Sequence, residues 1–333
     1  MAVSVKDVAA AASVSVGTVS NVLNTPSKVA PATVERVLSA IEELGFVRND
    51  AARQLRAGRS RSIGLVVLDV GNPFFAEIVR GAENRAAEDG LSVLVGNSDE
   101  TIERESAYLD LFREQRVNGV LITPVTDDLG PVERLRDSGV PVVLVDREPD
   151  GGAFSSVAVD DVEGGHLAVS HLIEIGRRRI AFVSGPLGIR QVADRLEGAR
   201  HAVAECPGAT LEVIEMPALS VLRGRAAGEQ IVARAPGDRP DAVFAANDLL
   251  AVGLLQGLHL IADLRVPEDI ALIGYDDIDF ASATVVPLSS IRQPAALIGY
   301  RAVDILLAEV AGADHERNVR FRPELVVRES TGG

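Results

Sequence analysis

The chain has 333 residues, with 33 basic and 48 acidic side chains, a formal charge of −15 and 47% hydrophobic content. That length fits about two domains, and the apolar fraction excludes a disordered chain. The single cysteine, Cys206, excludes an internal disulfide and a cysteine zinc cage. No apolar run approaches the ~18 residues of a membrane span, and the start, Met1-Ala2-Val3-Ser4-Val5-Lys6-Asp7, lacks the apolar core of a secretory signal. The expectation is a cytoplasmic protein with no membrane partner, no metal and no cofactor.

Taken as one number, −15 argues against a nucleic-acid partner, but the charge is uneven. Residues 1–61 hold 8 basic and 5 acidic side chains, net +3, and the remainder carries −18. Residues 48–61 alone hold five arginines and one acid, net +4, leaving residues 1–47 at −1. A short basic segment, which read blandly is a solvated linker, separates a near-neutral head from an acidic body.

In the head, Ser4-Val5-Lys6-Asp7 has the pattern of a capping box opening a helix that runs to Ala12. Ser13-Val14 makes a tight turn, and Ser15 caps a second helix through Leu23, stopped by Pro26. Pro31 starts a third helix that runs to Leu44 and ends at Gly45. Two short helices and a packing helix make a helix-turn-helix. The second helix presents Val16, Gly17, Thr18, Ser20 and Asn21, small or amide side chains that fit a major groove: Asn pairs with adenine and Val meets a thymine methyl. Helix starts at Ser4 and Ser15 offer backbone N–H groups to phosphates without lysines. A small protein-interaction module remains the alternative on pattern alone.

Val5-Lys6-Asp7-Val8-Ala9, Val14 to Asn24, and Val34 to Phe46 closely resemble the headpiece of the LacI/GalR family of bacterial repressors. The resemblance places sequence reading on Val16, Gly17 and Asn21, with Asn24 beside them. Asn21 replaces a frequent arginine, and Ser13 stands where glycine is common, so a left-handed turn there carries a modest cost.

Asn49 to Gly58 contains good helix formers but is too short to be a stable helix alone. Leu55 is apolar within this basic segment. It is either a packing contact against the head or a wedge for a minor groove. The segment resembles the family's hinge helix, with Leu55 on the intercalating position and Asn49, Arg53, Arg56 and Arg59 facing the nucleic acid.

From Ser62 the pattern becomes α/β. Ile63 to Leu68 reads as a buried strand, followed by a helix from about Pro73 to Asp89, a strand over Leu91 to Val95, a helix around Ile102 to Gln115, and strands at Val120 to Ile122 and Val142 to Val145. After about Asp160 the series restarts, with strands at Arg179 to Val183, near Val213 and Val243, and over Ile270 to Ile273. The class is α/β, two doubly wound parallel-sheet subdomains behind a helical headpiece, with a ligand cleft at the strand ends. The expected domains are 1–47, the hinge 48–60, and the body 61–333. The body divides into an N-subdomain (about 61–159 and 292–320) and a C-subdomain (about 160–291 and 321–330).

Candidate effector contacts sit at those ends: Asn72, Phe74, Phe75, Asp146, Arg147, Arg195, Asn247, Asp276 and Gln293. Rings that stack on C–H faces and planar polar groups that bond hydroxyls in pairs suit a polyhydroxylated ring. Each has a plainer reading: Asn247 and Asp276 as caps or turn formers, Phe74 and Phe75 as core, Arg195 as a surface ion pair. The body resembles the family's regulatory domain and periplasmic sugar-binding proteins. Ribose-binding proteins place sugar contacts on positions matching those nine residues, with Leu219 where they carry an aromatic. The resemblance implies a monosaccharide effector, a pentose favoured, operator DNA as partner, and a homodimer, since no heptad tail closes the chain.

Enzyme classes lack their signatures: there is no G-x-G-x-x-G after a strand, no Walker sequence, no G-x-S-x-G and no H-E-x-x-H, so no catalytic residue is assigned. A sugar-binding transport component would share the body but not the head. A regulator answering a non-sugar ligand or a phosphoprotein would share head and hinge.

Overall fold

The computed structural model describes residues 3–46, 60–148, 151–262 and 264–332. The chain divides into two compact units, Met1–Ser60 and Arg61–Gly333.

The first unit contains α1 (Val5–Ala11), α2 (Val16–Asn24), a short 3-10 turn at Pro26–Lys28 and α3 (Pro31–Leu44). Each boundary has a local cause. Ser4 N and Ser4 Oγ both donate to Asp7 Oδ2, at 2.8 and 2.7 Å, and this bonding holds the Asp7 carboxyl below its ordinary pKa. Ser15 Oγ accepts from Thr18 N at 3.0 Å, and Gly45 ends α3 at φ 61°. Ser13 adopts φ 52°, a left-handed conformation held by a residue with a side chain. The core joins Val8, Ala9, Ala12, Val19, Val22, Val37 and Ala40. It is built from small side chains, so each contributes only modest apolar burial.

In the second unit the described strands form two six-stranded sheets. The first has the order β11-β5-β4-β3-β1-β2, from β1 (Ser62–Val67), β2 (Ser92–Asn97), β3 (Val120–Ile122), β4 (Val142–Val145), β5 (Ser155–Val159) and β11 (Asn318–Phe321). The second has the order β12-β10-β9-β8-β6-β7, from β6 (Arg179–Ser184), β7 (Thr210–Glu215), β8 (Ala242–Ala245), β9 (Ala271–Asp276), β10 (Ser289–Arg292) and β12 (Glu324–Val326). Central strands are buried end to end, as parallel strands covered on both faces must be. The expected α/β class and twin subdomains are what the structure contains. One strand departs from the all-parallel expectation: β12 runs antiparallel to β10, because the chain arrives from the other sheet through only two residues.

The helices are α4 (Pro73–Glu88), α5 (Ile102–Glu114), α6 (Gly130–Asp137), α7 (Asp161–Glu174), α8 (Arg190–Ala204), α9 (Val221–Val232), α10 (Asp248–Ala262) and α11 (Ala295–Ala311). Three helix pairs cross at glycine. A Cβ on Gly165 of α7 would lie 2.0 Å from Arg195 O of α8, and one on Gly198 would lie 1.8 Å from Val162 O. Gly81 of α4 with Gly299 of α11, and Gly224 of α9 with Gly253 of α10, make equivalent approaches to backbone. The backbones touch where side chains would hold them apart.

Gly165→Ala therefore forces α7 from α8 and should destabilise the body by about 1–3 kcal/mol. Urea unfolding followed by circular dichroism measures this, and an unchanged midpoint would contradict the close crossing.

Candidate functional site: a clasped cleft and an exposed reading helix

The strand ends of the two sheets face a narrow cleft with a cavity volume of about 30 Å3. Its lining includes Leu68, Asp69, Asn72, Phe74, Phe75, Glu100, Asp146, Ile189, Gln191, Val192, Arg195, Leu219, Asn247 and Asp276. Asn72 caps α4, its Oδ1 accepting from Phe74 N at 3.0 Å. Phe74 and Phe75 meet edge to face, with ring centroids 5.1 Å apart, and both are buried.

Arg195 sits at the centre. Its Nε donates to Asp161 Oδ1 at 2.8 Å and its Nη1 to Ala246 O at 2.7 Å. The guanidinium lies 3.7 Å from the centroid of the Tyr275 ring. Gly164 leaves room for the Tyr275 hydroxyl, since a Cβ there would come within 2.1 Å of it. Burial alone would lower the arginine's pKa, but Asp161, Tyr275, Asp276 and Asp146 together raise it above its ordinary value.

Two acids occupy equivalent strand ends in the left-handed region: Asp146 after β4 at φ 55°, and Asp276 at the end of β9 at φ 106°. Such conformations cost of order 1–3 kcal/mol and concentrate at functional sites. Burial pushes the Asp146 carboxyl well above its ordinary range, and the negative charge of Asp161 adds to this. Burial likewise pushes Asp276 up to about 6, opposed by Arg195 and by hydrogen bonds from Asn72 and Gln293.

Both acids take part in bonds across the cleft. Asn72 Nδ2, from the first subdomain, donates to Asp276 Oδ2 at 3.3 Å, and Gln293 Nε2 donates to Oδ1 at 2.8 Å. Gln191 Nε2, from α8 of the second subdomain, donates to Asp146 O at 2.5 Å and to Oδ2 at 3.2 Å. Two carboxamides thus clasp the subdomains.

Of the ten side chains expected at an effector site, eight line this cleft: Asn72, Phe74, Phe75, Asp146, Arg195, Leu219, Asn247 and Asp276. The plainer readings also hold for some of them. Asn247 Oδ1 caps α10 through Leu250 N at 2.9 Å, and Arg195 is an ion pair, although a buried one. Gln293 stands behind the lining and orients Asp276. Arg147 is not part of this lining: its Nη2 pairs with Asp127 at 2.7 Å, and the residue lines an adjoining pocket with Asp146, Asp161 and Gln191. Gln191 was missed by sequence reasoning, although it precedes Arg195 by one helical turn and so shares its face. Asp69, Glu100 and Asp161 were also missed.

In the headpiece, Val16, Gly17 and Asn21 are exposed on α2. Ser15 and Thr18 bond each other through their hydroxyls at 2.9 Å, and Asn24 Nδ2 folds back onto Ser20 O at 2.8 Å. Ser4 is exposed at the start of α1. A Cβ on Gly17 would meet only Ser15 Oγ, at an ordinary 3.6 Å, so nothing inside the headpiece calls for glycine in this helix. Asn49, Arg53, Leu55 and Arg56, and the hinge they belong to, lie outside the described residues.

Comparison with known proteins agrees with both halves. Residues 4–49 match the family model for bacterial regulatory proteins of the lacI family, and residues 169–331 match a periplasmic binding protein-like domain. The chain is 35% identical to the HTH-type transcriptional repressor PurR of Aliivibrio fischeri strain MJ11, across 98% of this chain and 97% of that one. The chain belongs to the lacI family. It is a DNA-binding transcriptional repressor of that family and not an enzyme. Among solved structures, the lac repressor dimer bound to operator and the anti-inducer ONPF is 30% identical with a TM-score of 0.86, covering 99% of each chain. A lacI-family regulator from Enterococcus faecium with bound ribose is 29% identical with a TM-score of 0.72, covering 81% of this chain and 98% of that one.

Two outcomes follow for this lacI-family chain. Gly17→Ala should stabilise the headpiece by about 0.5–1 kcal/mol yet weaken operator binding at least fivefold. Thermal unfolding and gel shift on the same sample test the pair, and unimpaired binding would show that the glycine is not kept for close approach. Because Asp276 has a raised pKa when folded, the stability it contributes is present below about pH 4 and is lost as pH rises through about 6. Asp276→Asn should remove this slope, on the order of 2–3 kcal/mol, in urea titrations between pH 4 and 7.

Proposed function

We propose that this repressor acts as a homodimer controlled by a monosaccharide, a pentose such as ribose being favoured. The observation that carries the sugar reading is the convergence on one cleft of two phenylalanines, two carboxyls, a pre-set guanidinium and carboxamides from both subdomains. Carboxyls and amides bond adjacent hydroxyls in pairs, while the rings take the C–H faces. The relative solved with ribose supports the same reading.

Effector binding replaces the Asn72–Asp276 and Gln191–Asp146 bonds with bonds to the ligand, and so resets the angle between the subdomains. That change would pass to the hinges and alter DNA affinity, with a coupling typically of about 1–3 kcal/mol. On the DNA side, Val16, Gly17 and Asn21 read bases while Ser4, Ser15, Thr18, Ser20 and Asn24 set helix starts and backbone contacts. Asn49, Arg53 and Arg56 follow the backbone, and Leu55 enters the minor groove at the centre of a pseudo-palindromic operator. The dimer is supported by the lac repressor dimer's likeness and by large exposed apolar side chains on the second subdomain: Leu222, Phe280 and Val285, 61–86% exposed. No helix among the described residues is long and apolar enough to cross a membrane, and a DNA-reading regulator works in the cytoplasm with the nucleoid.

The test is calorimetry of the full chain against a panel of neutral monosaccharides, with gel shifts in parallel. One sugar should bind and change operator affinity, and Arg195→Ala should abolish both effects while DNA binding without sugar persists. Leu55→Ala should weaken operator binding at least tenfold and reduce bending with sugar affinity unchanged. A panel without a binder would refute the sugar reading, and unaltered operator affinity in Leu55→Ala would refute the wedge.

A further inference from the structure

The charge around the cleft says which sugars it admits. Four carboxyl side chains line it, Asp69, Glu100, Asp146 and Asp276, against one guanidinium, Arg195, whose charge is already met by Asp161 at 2.8 Å. Asp69 and Glu100 follow the ends of β1 and β2, half-buried, and among the described residues no basic side chain other than Arg195 lines the cleft. Asp69 Oδ1 is held by Gly71 N at 2.8 Å. Burial raises the Glu100 pKa, and the charges of Asp69 and Asp99 raise it further.

Two further observations concern hydrogen bonding. Asp146 is only 3% exposed, lines the cleft, and leaves its Oδ1 without any hydrogen-bond partner. That oxygen lacks a partner, and a sugar hydroxyl can meet it as donor or as acceptor, whichever form the carboxyl takes. Two of the helix starts at the cleft are capped by their own side chains: Asn72 Oδ1 takes Phe74 N of α4 at 3.0 Å, and Asn247 Oδ1 takes Leu250 N of α10 at 2.9 Å, whereas α8, which starts after Ile189, has no side-chain cap. A phosphate ester brings about −1.5 to −2 charges and acceptor oxygens beside the half-buried carboxyl side chains of Asp69 and Glu100.

We propose that Asp69 and Glu100 are specificity determinants that admit an uncharged polyol and turn away its phosphate ester. The proposal rests on the sugar reading above and narrows it to unphosphorylated ligands. The carboxyls act by charge, so their carboxamide equivalents, of the same size, lose the discrimination.

The experiment titrates full-length protein by calorimetry with paired ligands, D-ribose with D-ribose 5-phosphate first, then other monosaccharides with their phosphates. At low salt the ester of the sugar that binds should bind at least tenfold more weakly. In Asp69→Asn/Glu100→Gln the ratio of the two dissociation constants should fall at least fivefold. Glu100→Gln alone, and raised salt on the unaltered protein, should each reduce the ratio in the same direction. An ester that binds the unaltered protein as tightly as the sugar overturns the proposal and leaves the sugar reading standing. A ratio unmoved by both the substitutions and salt shows a steric filter and overturns the assignment to Asp69 and Glu100. If no member of any pair binds, both readings fail.

Discussion

The body is organised around a guanidinium that cannot give up its proton. Arg195 is 4% exposed, and a buried arginine is tolerable only when its charge and donors are satisfied. Asp161 supplies the charge from the first turn of α7, Ala246 supplies a carbonyl from the end of β8, and Tyr275 supplies a ring face from β9. These partners come from three separate elements, so they meet only if α7 and α8 pack at backbone distance and the strand ends of the second sheet converge. Gly164, Gly165 and Gly198 make that spacing possible. The same arrangement aims the guanidinium at the cleft before any ligand arrives, so little ordering cost remains at binding.

What could be read from the sequence follows from how local each cause is. The Ser4–Asp7 pair, the Ser15 cap, Pro31 and Gly45 act within one helical turn, and the headpiece helices appear within a residue of their expected limits. The strands Ser62–Val67 and Val142–Val145 announce themselves as apolar runs, and the cleft candidates follow because ligand groups gather at strand ends. Long-range choices were not legible. The antiparallel β12, the turn of Arg147 toward Asp127, and the pairing of Arg195 with Asp161 depend on segments 20 to 34 residues apart or on the chain crossing between sheets. The left-handed backbones at Asp146 and Asp276 leave no mark either, since aspartate is common in ordinary turns.

The charge separation along the chain fits this division of labour. The body carries −18 and the segment 48–61 carries +4. An acidic body is repelled by a polyanion, and a basic segment is attracted to one. The headpiece is near neutral, with Lys6, Lys28, Arg36 and exposed small side chains on α2.

The clasp gives the cleft a resident occupant. Asn72 and Gln191 already bond Asp276 and Asp146 at the cleft, and they are tethered to the protein, so their effective concentration there is high and constant. An effector must outcompete them, and the measured affinity is the difference between two sets of hydrogen bonds. The apparent affinity for a ligand at this cleft is thereby weakened by the strength of two carboxamide contacts. Altering Asn72 or Gln191 would shift that balance.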